Sequence, residues 1–128
     1  MATFQLELVS ADKVVWSGEA TMVIARTTEG ELGVLPGHAP LLGQLAEGGV
    51  VTIRTESGDD VVVAAHGGFL SVTERGVSIL AETAEISTEI DVARAREALS
   101  RAEDSDEPEA LDAARRAQSR LRAAGEDA

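Results

Sequence analysis

A chain of 128 residues with a net charge of −12 and no cysteine can bury one modest core and excludes disulfides and thiolate-metal chemistry. The negative balance repels phosphate backbones and anionic lipid, which argues against nucleic-acid partners and direct lipid insertion. No apolar run approaches the roughly 18 residues of a membrane span, and the start Met1-Ala2-Thr3-Phe4 lacks a basic stretch followed by an apolar block. The expected product is soluble and cytoplasmic, reaching a membrane only through another protein.

Along the chain, Phe4, Leu6 and Leu8 alternate with Gln5 and Glu7, and Ala20, Met22 and Ile24 alternate with Thr21, Val23 and Ala25. That period of two predicts strands. The next block, Gly30 to Leu42, holds two of the three prolines between apolar arms. Pro36 fixes φ and Gly37 can supply the φ > 0 position of a type II turn, so Leu35-Pro36-Gly37-His38 reads as a rigid turn. A rigid loop with outward polar groups suits docking better than catalysis. Val50 to Thr55, Val61 to Ala65, Phe69 to Thr73 and Val77 to Ala81 continue the strand pattern, punctuated by Ser17-Gly18, Gly48-Gly49, Ser57-Gly58-Asp59, Gly67-Gly68 and Arg75-Gly76. Short strands at this spacing predict a sandwich or flattened barrel.

From Glu89 onward the pattern is helical. Val92, Ala95, Leu99 and Ala102 share one helix face, and Thr88-Glu89-Ile90-Asp91 fits a capping box ahead of them. A second helix is predicted from Pro108 through Leu111, Ala114, Ala117 and Leu121 to about Ala124, before Gly125, with Glu103 to Glu107 as a solvated turn. The fold class is α+β: a sandwich over residues 1–86 and a helical hairpin over 87–128. Charge divides at the same place. Residues 1–90 hold four basic groups against thirteen acids, whereas 91–128 hold seven arginines against ten acids.

Residues 91–124 of the hairpin carry ten alanines and only four large apolar side chains, Val92, Leu99, Leu111 and Leu121. Full burial of a large side chain is worth about 1.5 to 3 kcal/mol, so packing gains on the order of 10 kcal/mol at best before ordering entropy is subtracted. The expectation is an arm close to balance that stays helical when it leaves the sandwich, since alanine and arginine are good helix formers. A permanently packed hairpin is the competing expectation. Catalytic chemistry is not expected. The chain has no Gly-x-x-x-x-Gly-Lys-Ser/Thr loop, and Ser71 and Ser78 lack a nucleophile-elbow context. His38 and His66 sit in Gly-rich turns without a clustered carboxylate or cysteine, which predicts structural roles rather than metal ligation. Trp16 is expected to pack on the sandwich edge.

Phe4 to Gly18, Glu29 to Leu42, Ala65 to Val72, Ile79 to Glu85 and Ile90 to Ala95 resemble the epsilon subunit of the F-type ATP synthase. The Gly-Glu-Leu-Gly-x-Leu-Pro-Gly-His-Ala-Pro-Leu-Leu segment followed by a Gly-Gly-Phe-Leu strand carries the resemblance. It implies a flattened β-sandwich of about ten strands followed by an antiparallel two-helix hairpin. It also implies a non-catalytic subunit of a proton-transporting ATPase, peripheral on the cytoplasmic face of the plasma membrane. The implied partners are the gamma shaft, the membrane rotor ring and, transiently, the alpha/beta catalytic head. Glu31, Leu35, Pro36, Gly37, His38 and Pro40 match the ring-facing loop, with Val34 and Leu35 as an apolar patch that partners cover.

The resemblance also implies a mobile regulatory arm whose folded form binds ATP, a regulatory ligand rather than a required cofactor. The matching positions are Glu85, Ile90, Asp91, Arg94, Ala95, Arg116 and Arg120, with Glu85 and Asp91 toward base or ribose. Arg116 and Arg120 share a helix face and can pinch a triphosphate. Two alternatives stand beside these readings. Arg94, Arg116 and Arg120 can pair with Asp91, Glu97 or Asp112 as ordinary surface ions. The whole chain can also be a free-standing β-sandwich binding module with a helical oligomerisation tail.

Overall fold

In the computed structural model, which describes residues 2–87, 90, 92–104 and 108–125, seven strands precede two helices. They are β1 (Phe4–Val9), β2 (Val14–Thr27), β3 (Gly30–Val34), β4 (Leu41–Gln44), β5 (Gly49–Thr55), β6 (Asp60–Thr73) and β7 (Gly76–Ile86), then α1 (Val92–Glu103) and α2 (Pro108–Ala123). The sheet runs β1-β7-β6-β5-β2-β3, with β4 on β6, and β1 also pairs β2. That last pairing closes the sheet into a flattened barrel, leaving fewer free edges. Only β1 and β7 run parallel among the pairings of the described strands.

The described strands number seven, not the ten implied by the resemblance, because β2 and β6 are long and change partners along their length, while β7 stays paired with β6 from end to end. The first half of β2 pairs β1 and its second half pairs β3 and β5. In β6 the segment before Gly67 pairs β5 and the segment after it pairs β4. Gly67-Gly68, read from sequence as a break between two strands, instead bends one. Both have positive φ, 69° and 107°, while β6 keeps its register with β7 from Val63 to Thr73.

A second difference lies in β2, where a register shift falls between Ala20 and Met22. One extra residue flips which side chains point inward. Ala20 is buried, and beyond the shift it is Val23 and Ala25, not Met22 and Ile24, that enter the core. Thr21 at the shift donates its hydroxyl to the Arg54 carbonyl at 3.2 Å.

The core is aliphatic, built from Leu6, Leu8, Val23, Val34, Val51, Ile53, Val63, Leu70 and Ile79 with small alanines between them. Trp16 packs at its margin and covers Gly18, where an added Cβ would lie 3.1 Å from the indole. Val34, expected beside Leu35 in an exposed patch, is buried in this core. It is the last residue of β3 and faces inward opposite Val23, so only Leu35 projects.

α2 lies against β6 and β5, and α1 packs chiefly on α2. α2 therefore buries residues on both sides, Ala117, Ser119, Leu121 and Ala123. Leu111 departs from the predicted apolar stripe and is 61% exposed. Helix capping by Thr88, Glu89 and Asp91 lies outside the described residues. No described helix is long and apolar enough to cross a membrane.

Candidate functional site

Three features of the surface have functional geometry: the Leu35 turn, an apolar strip on the outer sheet face, and the berth that holds α2. At the turn, the His38 amide donates to the Leu35 carbonyl at 3.1 Å and Gly37 takes φ 82°, as a type II turn requires. Leu35 is 56% exposed at its tip, and Gly37 and Pro40 are exposed beside it. Pro36 and His38 are half-buried, His38 donating Nδ1–H to the Ala39 carbonyl at 2.7 Å. Glu31 lies exposed on β3. Leu35, Gly37, His38 and Pro40 wall a depression of about 580 Å³ with the start of β1 and the β6–β7 turn.

The strip was not anticipated. Phe69 on β6 stands directly opposite Leu80 on β7, and Leu42 on β4 lies opposite Ser71, two residues along from Phe69. Period-two geometry puts all three on one outer face. They are 72% (Leu42), 50% (Phe69) and 53% (Leu80) exposed. Beside Phe69 and Leu80 is a shallow depression of about 200 Å³ lined also by Glu7, Val9 and Ser78. The alternation was legible, but the sign of each face was not, since both faces of these strands carry apolar residues.

The berth is polar. The turn between β4 and β5 presents Glu47 to Arg115, the Gly48 carbonyl to Arg122 at 2.9 Å, and the Gly49 carbonyl to the buried Ser119 hydroxyl. On β7, Glu85 pairs with Arg120. On β6, buried His66 meets Asp112 through Nε2 at 2.8 Å and receives the Gly48 amide at Nδ1 at 3.0 Å. Asp112 in turn pairs with Arg116 one helical turn on. With only Leu121 buried among the four large apolar residues of the arm, apolar packing supplies far less than the sequence ceiling. Partly exposed ion pairs add about 0 to 1 kcal/mol each, whereas stranding the buried Gly48 N–H would cost about 1 to 3 kcal/mol.

Of the residues matched to nucleotide binding, Glu85 and Arg120 are therefore brought together, as partners of each other. Arg116 is engaged by Asp112, one of the surface partners open to it on sequence. Ala95 is buried and Arg94 exposed on α1, Ile90 is half-buried after β7, and Asp91 lies outside the described residues. Sequence reading missed Glu47, His66, Asp112, Arg115, Ser119 and Arg122 as a set, because their meeting depends on where α2 lands.

Glu47, His66 and Asp112 offer ligand atoms within 4.8 Å of one another, but the tautomer opposes a cation. Because Nδ1 accepts from the Gly48 amide, the proton of neutral imidazole sits on Nε2, the atom that faces the carboxylates. Burial would push the Asp112 carboxyl up, but the hydrogen bond from His66 and the Arg116 guanidinium outweigh it and hold the group below its ordinary value.

Residues 3–87 match the family model of the ATP synthase delta/epsilon chain β-sandwich domain. The ATP synthase epsilon chain of Streptomyces griseus is 57% identical over 122 residues, covering 95% of each chain. That of Rhodococcus opacus is 55% identical over 87% of this chain and 89% of its own. The chain belongs to the ATP synthase epsilon-chain family. The epsilon chain of Mycobacterium avium, 50% identical over 98% of each chain, extends the match through the helical arm. A chain of the Euglena gracilis mitochondrial ATP synthase, in a structure of OSCP, F1 and c-ring, superposes with TM-score 0.78 at 30% identity, covering 97% of this chain and 82% of its own. This epsilon-family member is thus a non-catalytic subunit whose part in ATP synthesis and proton transport follows from its complex. Its relatives work inside an assembly, which favours a rotor component over the free-standing module.

Proposed function

We propose that this chain forms the foot of the central stalk of a proton-translocating ATP synthase on the cytoplasmic face of the plasma membrane. It grips a gamma-type shaft with the Leu42–Phe69–Leu80 strip and the membrane rotor ring with the Leu35 turn. The strip carries the reading. Three large apolar side chains lie together on one outer face, with Gln44, Ser71 and Ser78 around them, the apolar centre and polar rim of a protein interface. A stiff turn suits the ring contact, because a soft one would store rotation as elastic strain.

Replacing Leu35 and Pro36 together with glycine tests the ring contact. Leu35 projects from the fold, so stability should fall by only about 1 to 2 kcal/mol, chiefly through greater freedom of the unfolded chain. Co-assembly with the membrane ring should be lost. Unchanged assembly would remove the turn from the interface.

The arm supplies regulation, reaching transiently toward the alpha/beta catalytic head when it leaves the berth and binding ATP when docked. Nucleotide binding in this chain requires Arg116 and Arg120 to exchange Asp112 and Glu85 for phosphate oxygens, which their two-pronged geometry favours. Titration with ATP followed by amide NMR should shift α2 signals around both arginines. Absence of any shift at about 1 mM ATP, where even a binding free energy near −4 kcal/mol would register, would end this part of the proposal.

A further inference from the structure

We propose that His66 is a proton-responsive latch for the helical arm: α2 docks against the neutral imidazole and loosens when the ring takes a second proton. The proposal rests on the reading that the arm leaves the sandwich, and it assigns that motion a trigger in this chain.

Two carboxylates lie close to the imidazole, and two arginines of α2 pair with them. Glu47 comes from the β4–β5 turn, and Asp112, Arg115 and Arg116 come from α2. On β7 the residue in register is Thr83, which does not titrate. Of the neighbouring acids there, Glu82 lies against Gly67 and Glu85 is taken by Arg120. Glu47 pairs with Arg115 and Asp112 with Arg116, so the carboxylate that meets Nε2 is shared with a guanidinium and its pull on an imidazolium is reduced.

Hydrogen bonding then decides. The Gly48 amide already donates to Nδ1, and Nε2–H already donates to Asp112. A second proton adds only charge to the Asp112 contact, which is half exposed and shared with Arg116. At Nδ1 it sets donor against donor, inside a site where His66 is almost wholly buried. Relief requires Gly48 to move, and Gly48 sits in the turn whose Glu47 side chain and two glycine carbonyls hold Arg115, Arg122 and Ser119. The turn has little room, since a Cβ on Gly48 would lie 3.0 Å from the Arg115 carbonyl. Protonation therefore disturbs three anchor points of α2 together. Once the arm has gone, the same turn relaxes freely, so acid favours the released state.

The chain has no cysteine, so spin labels at Glu29→Cys and Glu109→Cys, both exposed positions, report the sandwich-to-α2 distance in the full chain. Between about pH 8 and about pH 5.5, where imidazoles titrate, the docking equilibrium should fall by at least about fivefold. His66→Gln, which does not titrate, should remove that response. Asp112→Asn, which keeps an acceptor for Nε2–H, should retain it. Imidazole nitrogen NMR of the unsubstituted chain should show the Nε2–H tautomer at the higher pH, a reading that stands even where His66→Gln fails to fold. Docking that is unchanged or tightened by acid, a response that survives His66→Gln or vanishes in Asp112→Asn, or an Nδ1–H tautomer would each overturn the latch. An arm released to the same extent at both pH values removes only the role of His66. An arm never released at either value removes the mobile-arm reading as well.

Discussion

Gly68→Ala should come close to abolishing the fold. A Cβ there would sit 1.8 Å from the Leu80 carbonyl oxygen and 2.8 Å from the Ala81 Cα, at φ +107°. Both contacts are backbone of the paired strand β7, so no rotamer change relieves them. Backbone strain at such a φ costs about 1 to 3 kcal/mol and forced overpacking a similar amount. Their sum is a large part of the roughly 5 to 15 kcal/mol that stabilises a domain. Gly58→Ala is the control, because its φ of +92° carries the strain while nothing lies within 4 Å. Urea unfolding followed by circular dichroism should find Gly58→Ala folded and weakened only by the strain of about 1 to 3 kcal/mol, and Gly68→Ala mostly unfolded without denaturant. Equal midpoints for the two would mean that β6 can straighten and that the close approach to β7 is not needed.

Charging the strip should separate assembly from folding. Leu42→Asp combined with Phe69→Asp places two carboxylates on the face proposed for the shaft, and truncating a central interface anchor costs about 2 to 4 kcal/mol. Binding to a gamma-type shaft protein should weaken by at least about a hundredfold. Both side chains are half exposed or more, so the isolated chain should lose about 1 to 2 kcal/mol of stability at most. Titration calorimetry against the shaft protein and urea unfolding of the free chain read the two effects independently. Full binding by the double variant would move the shaft contact to another face.

Docking of the arm depends less on oily contact than its helical pattern suggests. Leu111 is exposed, and its predicted place in the stripe fails because α2 is wedged between sheet and α1 rather than laid on the sheet by one face. Ser119, a polar residue of α2, is buried and closes on the Gly49 carbonyl. Polar anchors are directional and can be exchanged for water or for an anion. That suits an arm that must both hold and let go, whereas an apolar seam of the same size would have to be exposed to open.

Local chemistry settled much of this protein in advance. The alternation of Leu6 and Leu8, the Pro36-Gly37 turn and the Ala/Arg helices from Val92 onward each follow from preferences that act within a few residues, and the structure realises them. The family was likewise legible, since the Gly30 to Leu42 segment and the Gly67-Gly68-Phe69-Leu70 run stand in the chain itself. Tertiary structure decided the rest. One extra residue near Thr21 reversed the inward face of β2, which no count of apolar residues reveals, because either parity satisfies a period of two. Bending at Gly67-Gly68 without breaking merged two predicted strands into one, because the register with β7 continues through it. The berth of the arm joins Glu47, His66, Glu85 and Asp112 from four elements, and separations of tens of residues carry no local signal. Only the packed chain determines which charges meet.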